Sequence, residues 1–320
     1  MKKFLPFVLF VVLVACRKHN NTSSSPSQWV QTSSFIGNLA TDPVGFGIGD
    51  RIYIGMGSPS LGAERATQSY GYDIGANSWF QVASFPNPTI AGSGVGFAIG
   101  ATGYVLLAKD TLAGELWAYD TAQNVWTKMA DFPGRLTDAT TGFSVNGKAY
   151  VGFGDTSDAR QFYQYDPASN AWSAVSDFPG AQTGGTASFV IGGYAYIGLG
   201  GNLVSEVDQA FYAQVYRYDA ANNSWRGCAV FPGAQRFGAT GFSVGNMGYI
   251  AGGIDVNGKY LKDVWQYDPA ANAWTREPDF PGSGRVAALG FSGSAAGYFG
   301  CGIGASAAGY PDLWKFTPTP

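Results

Sequence analysis

The chain has few charged residues, little cysteine and almost no histidine. Charged residues make up 13% of its 320 residues, about half the usual share in soluble proteins. One histidine, His19, and three cysteines are present. Ser-His-Asp and Cys-His catalysis need a histidine beside the nucleophile, and no cysteine pair has the spacing of a zinc site. Residues 20–320 therefore carry no histidine for these mechanisms, and we expect neither a metal nor another cofactor.

Long hydrophobic runs are also missing, except near the N-terminus. Residues 4–14 form an apolar run after Lys2 and Lys3, and this run is too short for a membrane helix of about 20 residues. The pattern is typical of a signal peptide. Its ending, Leu-Val-Ala-Cys at 13–16, resembles the bacterial lipobox, which implies cleavage before Cys16 and lipidation of the thiol. The alternative is an ordinary secretory signal with an incidental cysteine.

We therefore predict a lipoprotein signal peptide at 1–16, a flexible polar tether at 17–28 and a folded body at 29–320. The protein would be exported and held in the bacterial cell envelope by its lipid alone, in the outer membrane with a periplasmic or surface location. The body has 15 basic residues, since four of the 19 precede it, against 22 acidic ones. Its net charge of −7 argues against nucleic acid as a partner.

The body is built from an internal repeat. Five segments read Tyr-Asp-x-x-x-Asn-x-Trp, and a Phe-Pro pair begins six residues after each tryptophan. Successive tryptophans are 46 to 53 residues apart. The tryptophans are Trp79, Trp126, Trp172, Trp225 and Trp274. Asn tolerates a left-handed backbone and Asp bonds its own backbone, so the segment predicts a tight hairpin between two strands.

A second block, repeated six times, precedes these hairpins. Each copy has an aromatic strand and then a strand that begins at a tyrosine, and in five copies this second strand ends in glycines. The second copy lacks the glycines and reads Leu106-Leu107-Ala108, which predicts different packing in that unit. Each unit reads as four short strands. A period near 50 predicts a ring of radially arranged sheets, with tyrosine and tryptophan filling the space between them.

The two ends of the chain are complementary. Trp29 and Phe35 have the Trp-to-Phe spacing but no Tyr-Asp segment before them, whereas residues 313–316 have no tryptophan strand after them. The N-terminal strand is therefore predicted to complete the sixth sheet, which removes two free edges. Cys228 and Cys301 fall in different units, and we expect two buried, unpaired thiols.

These features resemble the Kelch repeat family. The matching elements are Gly-Gly at 200–201 and 252–253, and Tyr-Asp-Pro-x-x-Asn-x-Trp at 165–172 and 267–274. The resemblance covers residues 29–316 and implies an all-β, six-bladed Kelch-type β-propeller. WD40 repeats run shorter and use Gly-His and Trp-Asp pairs, which the body lacks. A β-sandwich of the same composition would not explain the constant spacing.

Some Kelch-like proteins are enzymes, and their activities require particular residues. Kelch-like copper oxidases such as galactose oxidase need imidazole ligands, and the body has no histidine. The Asp-box sequence of sialidases is missing as well. A six-bladed Kelch sialic acid mutarotase implies a carboxylate and a cation facing one sugar. Segments between second and third strands offer Glu64, Arg65, Asp155, Arg160, Glu206 and Asp208.

Two arginines form a separate group of candidates. Arg236 and Arg285 each precede the second-strand tyrosine of their unit by 13 residues. In Kelch adaptor proteins an arginine at this motif position faces the binding mouth, which implies a ligand with a carboxylate or phosphate. The alternative is an arginine bonded to rim carbonyls and water.

Two functions from different classes remain open. The first is a non-catalytic, monomeric binding or scaffold module, which presents the propeller mouth to a glycan or a protein. The second is a mutarotase or epimerase acting on an acidic sugar such as N-acetylneuraminate. Glu206 or Glu64 would then carry the proton, and Arg236 or Arg285 would hold the sugar carboxylate.

Overall fold

The computed structural model describes residues 27–37, 42–57, 66–87, 94–108, 114–137, 140–153, 160–181, 184–202 and 210–319. These residues form strands and turns, with no helix among them. The strands, numbered along the chain, are β1 (Gln28–Gln31), β2 (Val44–Ile48), β3 (Arg51–Gly55), β4 (Ser69–Asp73), β5 (Ser78–Val82), β6 (Gly94–Ile99), β7 (Thr102–Ala108), β8 (Gly114–Asp120), β9 (Val125–Lys128), β10 (Thr141–Val145), β11 (Lys148–Gly152), β12 (Phe162–Asp166), β13 (Ala171–Val175), β14 (Ala187–Ile191), β15 (Tyr194–Gly198), β16 (Gly201–Asn202), β17 (Ala210–Phe211), β18 (Val215–Asp219), β19 (Ser224–Gly227), β20 (Arg236–Phe237), β21 (Thr240–Val244), β22 (Met247–Ala251), β23 (Ile254–Asp255), β24 (Val264–Asp268), β25 (Ala273–Glu277), β26 (Leu289–Phe291), β27 (Gly297–Gly300) and β28 (Leu313–Thr317).

Six antiparallel sheets of four strands each form the blades of a propeller. Blades 1 to 6 are β2-β3-β4-β5, β6-β7-β8-β9, β10-β11-β12-β13, β14-β15-β18-β19, β21-β22-β24-β25 and β26-β27-β28-β1. The innermost strands contact one another in sequence, and β26 contacts β2, which closes the ring. The pairs β16-β17 and β20-β23 are small additional sheets. The predicted all-β, six-bladed propeller is confirmed.

Blade 6 is completed by the N-terminal strand, as the chain ends predicted. β1 pairs antiparallel with β28, with Trp29 opposite Phe316. The Trp29 ring packs against Phe280, with 5.2 Å between ring centroids. Two described residues before 29 also take part in this arrangement, because Gln28 lies in β1 and Ser27 is buried. Residues 1–26, with the predicted signal peptide and Cys16, lie outside the described residues.

The repeated Asn-x-Trp pair joins each blade to the one before it. Asn124 has a left-handed backbone (φ 56°), and its Oδ1 accepts hydrogen bonds from the Tyr119 hydroxyl and the Ala83 N–H. Trp126 Nε1 donates to the Ala83 carbonyl oxygen at 2.9 Å. One asparagine and one tryptophan thus satisfy both backbone groups of a single residue in the preceding blade. The same contacts recur at Ser33, Ala130, Ser176 and Ala229.

The junction between blades 5 and 6, where β1 supplies the outermost strand of blade 6, lacks this arrangement. Residue 278 is a proline, which has no N–H to donate, and Phe316 replaces the tyrosine whose hydroxyl would need an asparagine. Trp29 Nε1 is buried without a hydrogen-bond partner among the described residues. Ser27 Oγ instead donates to Glu277 Oε2 at 2.7 Å. The junction therefore depends more on aromatic packing than the other five.

A left-handed turn of the backbone follows the second strand in most blades, and this explains the glycines found there. In five blades the third residue after the second-strand tyrosine is left-handed, for example Cys301 (φ 56°) followed by Gly302 (φ 82°). A Cβ on Gly302 would lie 2.7 Å from the Val286 carbonyl oxygen. This backbone reversal ends the strand. Blade 2 has no such reversal, so β7 continues to Ala108 and pairs with an equally long β8.

Candidate functional site

The propeller axis is an open channel lined by the six innermost strands. At the end where these strands finish, a cavity of about 300 Å³ is bordered by phenylalanines and by Ser144, Ser188, Ser243 and Ser292. A middle section of about 200 Å³ is lined mostly by glycine, small apolar residues and threonine. These lining residues present hydroxyl and backbone groups. They carry no ionisable side chain within the described part of either section.

The opposite end, where the innermost strands begin, is called the mouth here. Its cavity of about 230 Å³ is lined in part by Thr140, Thr141, Thr186, Thr240 and Asp42. Thr141 and Thr186 hydroxyl oxygens lie 2.6 Å apart in a hydrogen bond. Thr240 Oγ1 donates to the Ala288 carbonyl oxygen at 2.7 Å. The threonine hydroxyls are thus held in defined orientations.

Backbone hydrogen bonds between blades connect part of the mouth rim. Asp42, Gly185, Gly238 and Ala287 each lie two residues before an innermost strand, and all four are left-handed. Gly238 N donates to Gly185 O at 2.8 Å, and Ala287 N donates to Gly238 O at 3.0 Å. These bonds join blades 4, 5 and 6 directly at the rim. A preorganised rim loses little conformational entropy when a ligand binds.

Most of the candidate site residues from the sequence lie outside the described residues: Glu64, Arg65, Asp155, Glu206 and Asp208. Among the described residues Arg160 is exposed, and its Nε donates to the Phe178 carbonyl oxygen at 2.8 Å. Nothing in the described residues brings Arg160 together with a second candidate. Its role as a ligand contact stays a prediction.

Arg236 and Arg285 lie inside blades 5 and 6, where the mouth-facing position implied by the family resemblance is not found. Their exposed fractions are 0% and 1%. Arg236 forms a bidentate pair with Asp263, at 2.7 Å for both hydrogen bonds, and also donates to Gly252 O and Ala234 O. Arg285 makes the same contacts with Asp312, Cys301 O and Ser283 O. Neither guanidinium has a surface left for a ligand in this arrangement.

The carboxylates that hold these arginines were not recognised from the sequence as partners. Asp263 and Asp312 each lie two residues before a tryptophan whose Nε1 donates to the carboxylate. Burial alone would raise the pKa of Asp263, but hydrogen bonds and charge from Arg236, together with the Trp265 hydrogen bond, hold it below its usual value. One sequence signal could have identified these carboxylates as structural. An acidic residue stands two positions before a tryptophan at the start of the third strand, at Asp263, at Asp312 and also at Glu115 in blade 2.

Glu115 shows the same construction with a different cation. Lys128 Nζ lies 2.9 Å from Glu115 Oε1, and Asn87 and Trp117 donate to Oε2. Burial would raise the pKa of Glu115, but these hydrogen bonds lower it below its usual value. The carboxylate is therefore ionised and structural, which distinguishes it from a proton carrier whose pKa would be raised toward neutrality.

The buried tyrosine and cysteine side chains, unlike the buried carboxylates, are held in their neutral forms. Burial raises the pKa of Tyr119 and Tyr165 to about 12, so their hydroxyls remain donors to the asparagines. Burial also raises the pKa of the Cys301 thiol to about 12. Both described cysteines are unpaired, although Cys228 is only partly buried where full burial was predicted.

Metal-binding clusters and membrane-spanning helices are both absent from the described residues. These residues contain no group of three or more His, Cys, Asp or Glu side chains placed to hold a metal ion. None of their segments is a helix with the length and apolar character needed to cross a membrane.

Comparisons with known proteins agree with this architecture. The Kelch motif matches residues 235–281, which run from the arginine segment of blade 5 through its outermost strand to Phe280. The solved structure of YjhT is similar to the chain, with a TM-score of 0.71 and 17% identity over 88% of this chain and 96% of that one. No curated protein shows significant sequence similarity to the chain. With six four-stranded blades and this motif, the chain is a Kelch-type β-propeller.

Proposed function

We propose that the propeller is a non-catalytic, monomeric binding module whose mouth takes a glycan. The observation that carries this proposal is the lining of the mouth and channel, where threonine and serine residues lie among glycine and apolar residues. Sugar hydroxyls both donate and accept hydrogen bonds, and threonine and serine hydroxyls do the same. Asp42 is the one ionisable residue lining the described part of the mouth, which favours a neutral ligand.

Geometry at the rim adds to this argument. The hydroxyls of Thr141, Thr186 and Thr240 are oriented by short hydrogen bonds, and the rim backbone is bonded from blade to blade. A cavity of about 230 Å³ is somewhat below the range of about 300 to 1,000 Å³ usual for small-molecule sites. A terminal sugar unit is therefore the portion of a glycan that the described mouth would enclose.

Glycan-array screening followed by calorimetry tests this proposal. Thr186→Val removes a mouth hydroxyl while keeping the side-chain shape. We expect this variant to bind the best array ligand about three- to tenfold more weakly, because the net free energy of one hydrogen bond corresponds to a change in affinity of this size. Thr127→Val, on the exposed outer strand β9, is the matched control and should bind like the parent protein.

Other outcomes of this experiment would replace the proposal. Binding that Thr186→Val leaves unchanged would move the site away from the mouth, and capture of a purified protein ligand without any glycan signal would favour a protein partner. The mutarotase alternative predicts faster anomeric exchange of N-acetylneuraminate in proton NMR spectra. The burial and pairing of Arg236 and Arg285 make that alternative the weaker one.

We further propose that the protein is exported and anchored in the bacterial outer membrane through lipidated Cys16. Ten residues, 17–26, separate Cys16 from Ser27, where the body begins. A fully extended chain of that length reaches about 35 Å. Cys16→Ser should move the protein from the membrane fraction to the soluble fraction, and mass spectrometry of the parent should show acylated Cys16. A parent protein that is soluble and unmodified would contradict the anchor.

A further inference from the structure

Blades 5 and 6 each bury an arginine in a slot of the same construction. The slot is bounded by the phenylalanine five residues before the arginine and by the aspartate 27 residues after it. The Arg236 guanidinium carbon lies 4.9 Å from the centre of the Phe231 ring. The corresponding distance from Arg285 to Phe280 is 4.7 Å. In both blades the slot holds a planar cation above an aromatic face.

Blade 6 adds a second aromatic wall. Tyr310 lies two residues before Asp312, and the Arg285 guanidinium carbon is 4.3 Å from the centre of its ring. The guanidinium therefore lies between Phe280 and Tyr310, with a carboxylate at its edge. In blade 5 the residue two positions before Asp263 is Leu261. A second aromatic ring is therefore not required for a blade to fold with a buried arginine.

Blade 4 has the same slot without the arginine. A cavity of about 260 Å³ is lined by Phe178, Tyr212, Gln214 and Tyr216 together with Ala181 and Leu199. The first four occupy the sequence positions of Phe280, Tyr310, Asp312 and Trp314 in blade 6, in that order. Where blades 5 and 6 have arginine, the sequence has Thr183, which lies outside the described residues.

The cavity is accessible from solvent. Gln214 and Ala181 are exposed, and Tyr212 and Tyr216 are partly exposed, whereas Phe178 is buried at the base. None of its lining residues borders the mouth or the channel. A ligand bound in the blade 4 slot would therefore occupy a different surface from a ligand in the mouth.

We propose that the blade 4 slot binds the guanidinium group of an arginine side chain presented by a partner protein. Phe178 and Tyr212 would enclose its faces as Phe280 and Tyr310 enclose Arg285. The Gln214 Oε1 atom would accept a hydrogen bond at its edge, in the position of the Asp312 carboxylate. This site is independent of the glycan proposal for the mouth.

Charge and shape favour arginine over other side chains. The body carries a net charge of −7, which attracts basic segments. A guanidinium is planar, stacks on aromatic rings and is less strongly hydrated than the lysine ammonium. Because the slot is open and Gln214 is neutral, an incoming cation keeps part of its hydration and needs no buried carboxylate.

An NMR titration tests the inference. N-acetylarginine amide, the neutral citrulline analogue and N-acetyllysine amide are added to the chain without residues 1–16, and the Tyr212 and Tyr216 ring signals are followed. We expect the arginine probe to bind about fivefold more tightly than the citrulline probe, since cation–π contacts require the charge. Gln214→Asp restores the carboxylate of blades 5 and 6 and should tighten arginine binding about tenfold, with little effect on citrulline.

Two controls separate the site from general charge effects. Gln161→Asp makes the same change in blade 3, where Gln161 Oε1 accepts from Tyr163, and should leave arginine binding unchanged. Tyr212→Leu copies the residue of blade 5, so the fold should persist while arginine binding weakens about fivefold. Equal affinity for arginine and citrulline, or no gain with Gln214→Asp, would overturn the proposal. Shifts produced by a methyl pyranoside instead would make the slot a sugar site.

Discussion

Removing residues 17–36 is expected to unfold the protein or convert it into oligomers. The deletion takes away β1, which supplies the outermost strand of blade 6, and with it Trp29, whose ring contacts Phe280, Phe299 and Phe316. β28 would be left with a free edge beside exposed aromatic rings, and such edges pair with other chains. Size-exclusion chromatography and thermal melting of chains that lack residues 1–16 measure the effect.

A shorter deletion provides the control. Removing residues 17–26 leaves Ser27 and its hydrogen bonds to Glu277 and Thr319, so the melting temperature should match that of the parent. A peptide with the sequence of residues 27–36 should partly restore the monomer when added to the longer deletion. A soluble monomer with an unchanged melting temperature after removal of 17–36 would show that β1 does not close the ring.

Replacing Arg236 with methionine should destabilise the fold by about 3 to 5 kcal/mol, since it leaves the Asp263 carboxylate largely buried without its cation. Arg276→Met is the matched control, because Arg276 pairs with Asp279 on the surface and surface pairs contribute about 0 to 1 kcal/mol. The double variant Arg236→Met with Asp263→Leu should recover much of the loss. Urea unfolding at pH 7 measures all three.

The pH dependence of this effect has a definite sign. The pKa of Asp263 is lowered in the folded protein, so its contribution to stability is complete above the unfolded carboxyl pKa of about 4. It is lost as the pH falls through the lowered folded value. The difference in unfolding free energy between the parent and Arg236→Met should therefore shrink below about pH 4. A pH-independent difference, or an equal loss with Arg276→Met, would argue against the buried pair as the cause.

The architecture could be predicted from the sequence because its determinants are local and repeated. The Asp-to-Asn turn, the tyrosine and tryptophan on either side of it and the Phe-Pro pair recur at nearly constant spacing, so periodicity alone indicated six units. The mismatch between residues 29–35 and 313–316 then identified how the ring closes. The different character of blade 2 was also visible, in Leu106-Leu107-Ala108, although its cause is the missing left-handed residue.

The partners of individual side chains could not be predicted in this way. Arg236 and Arg285 were predicted to bind a ligand because the resemblance to Kelch adaptor proteins implied it. Their spacing places each arginine before the innermost strand of its blade but does not say which way the guanidinium points. Their aspartates lie 27 residues away in sequence, directly before the third strand, and only the folded blade brings the two groups within hydrogen-bonding distance. The blade 4 slot could not be predicted from the sequence either. It is recognised only by comparison with blades 5 and 6, where an arginine occupies the equivalent position.

By itself the sequence determined the number of blades, the turn chemistry and the strand that closes the ring, because each depends on neighbours within a few residues or on simple repetition. Tertiary structure alone decided which charges are buried and paired, which hydroxyls line the mouth and which slot stays open. Those properties depend on side chains that are far apart in sequence, either within one blade or in neighbouring blades, and only the folded chain brings them into contact.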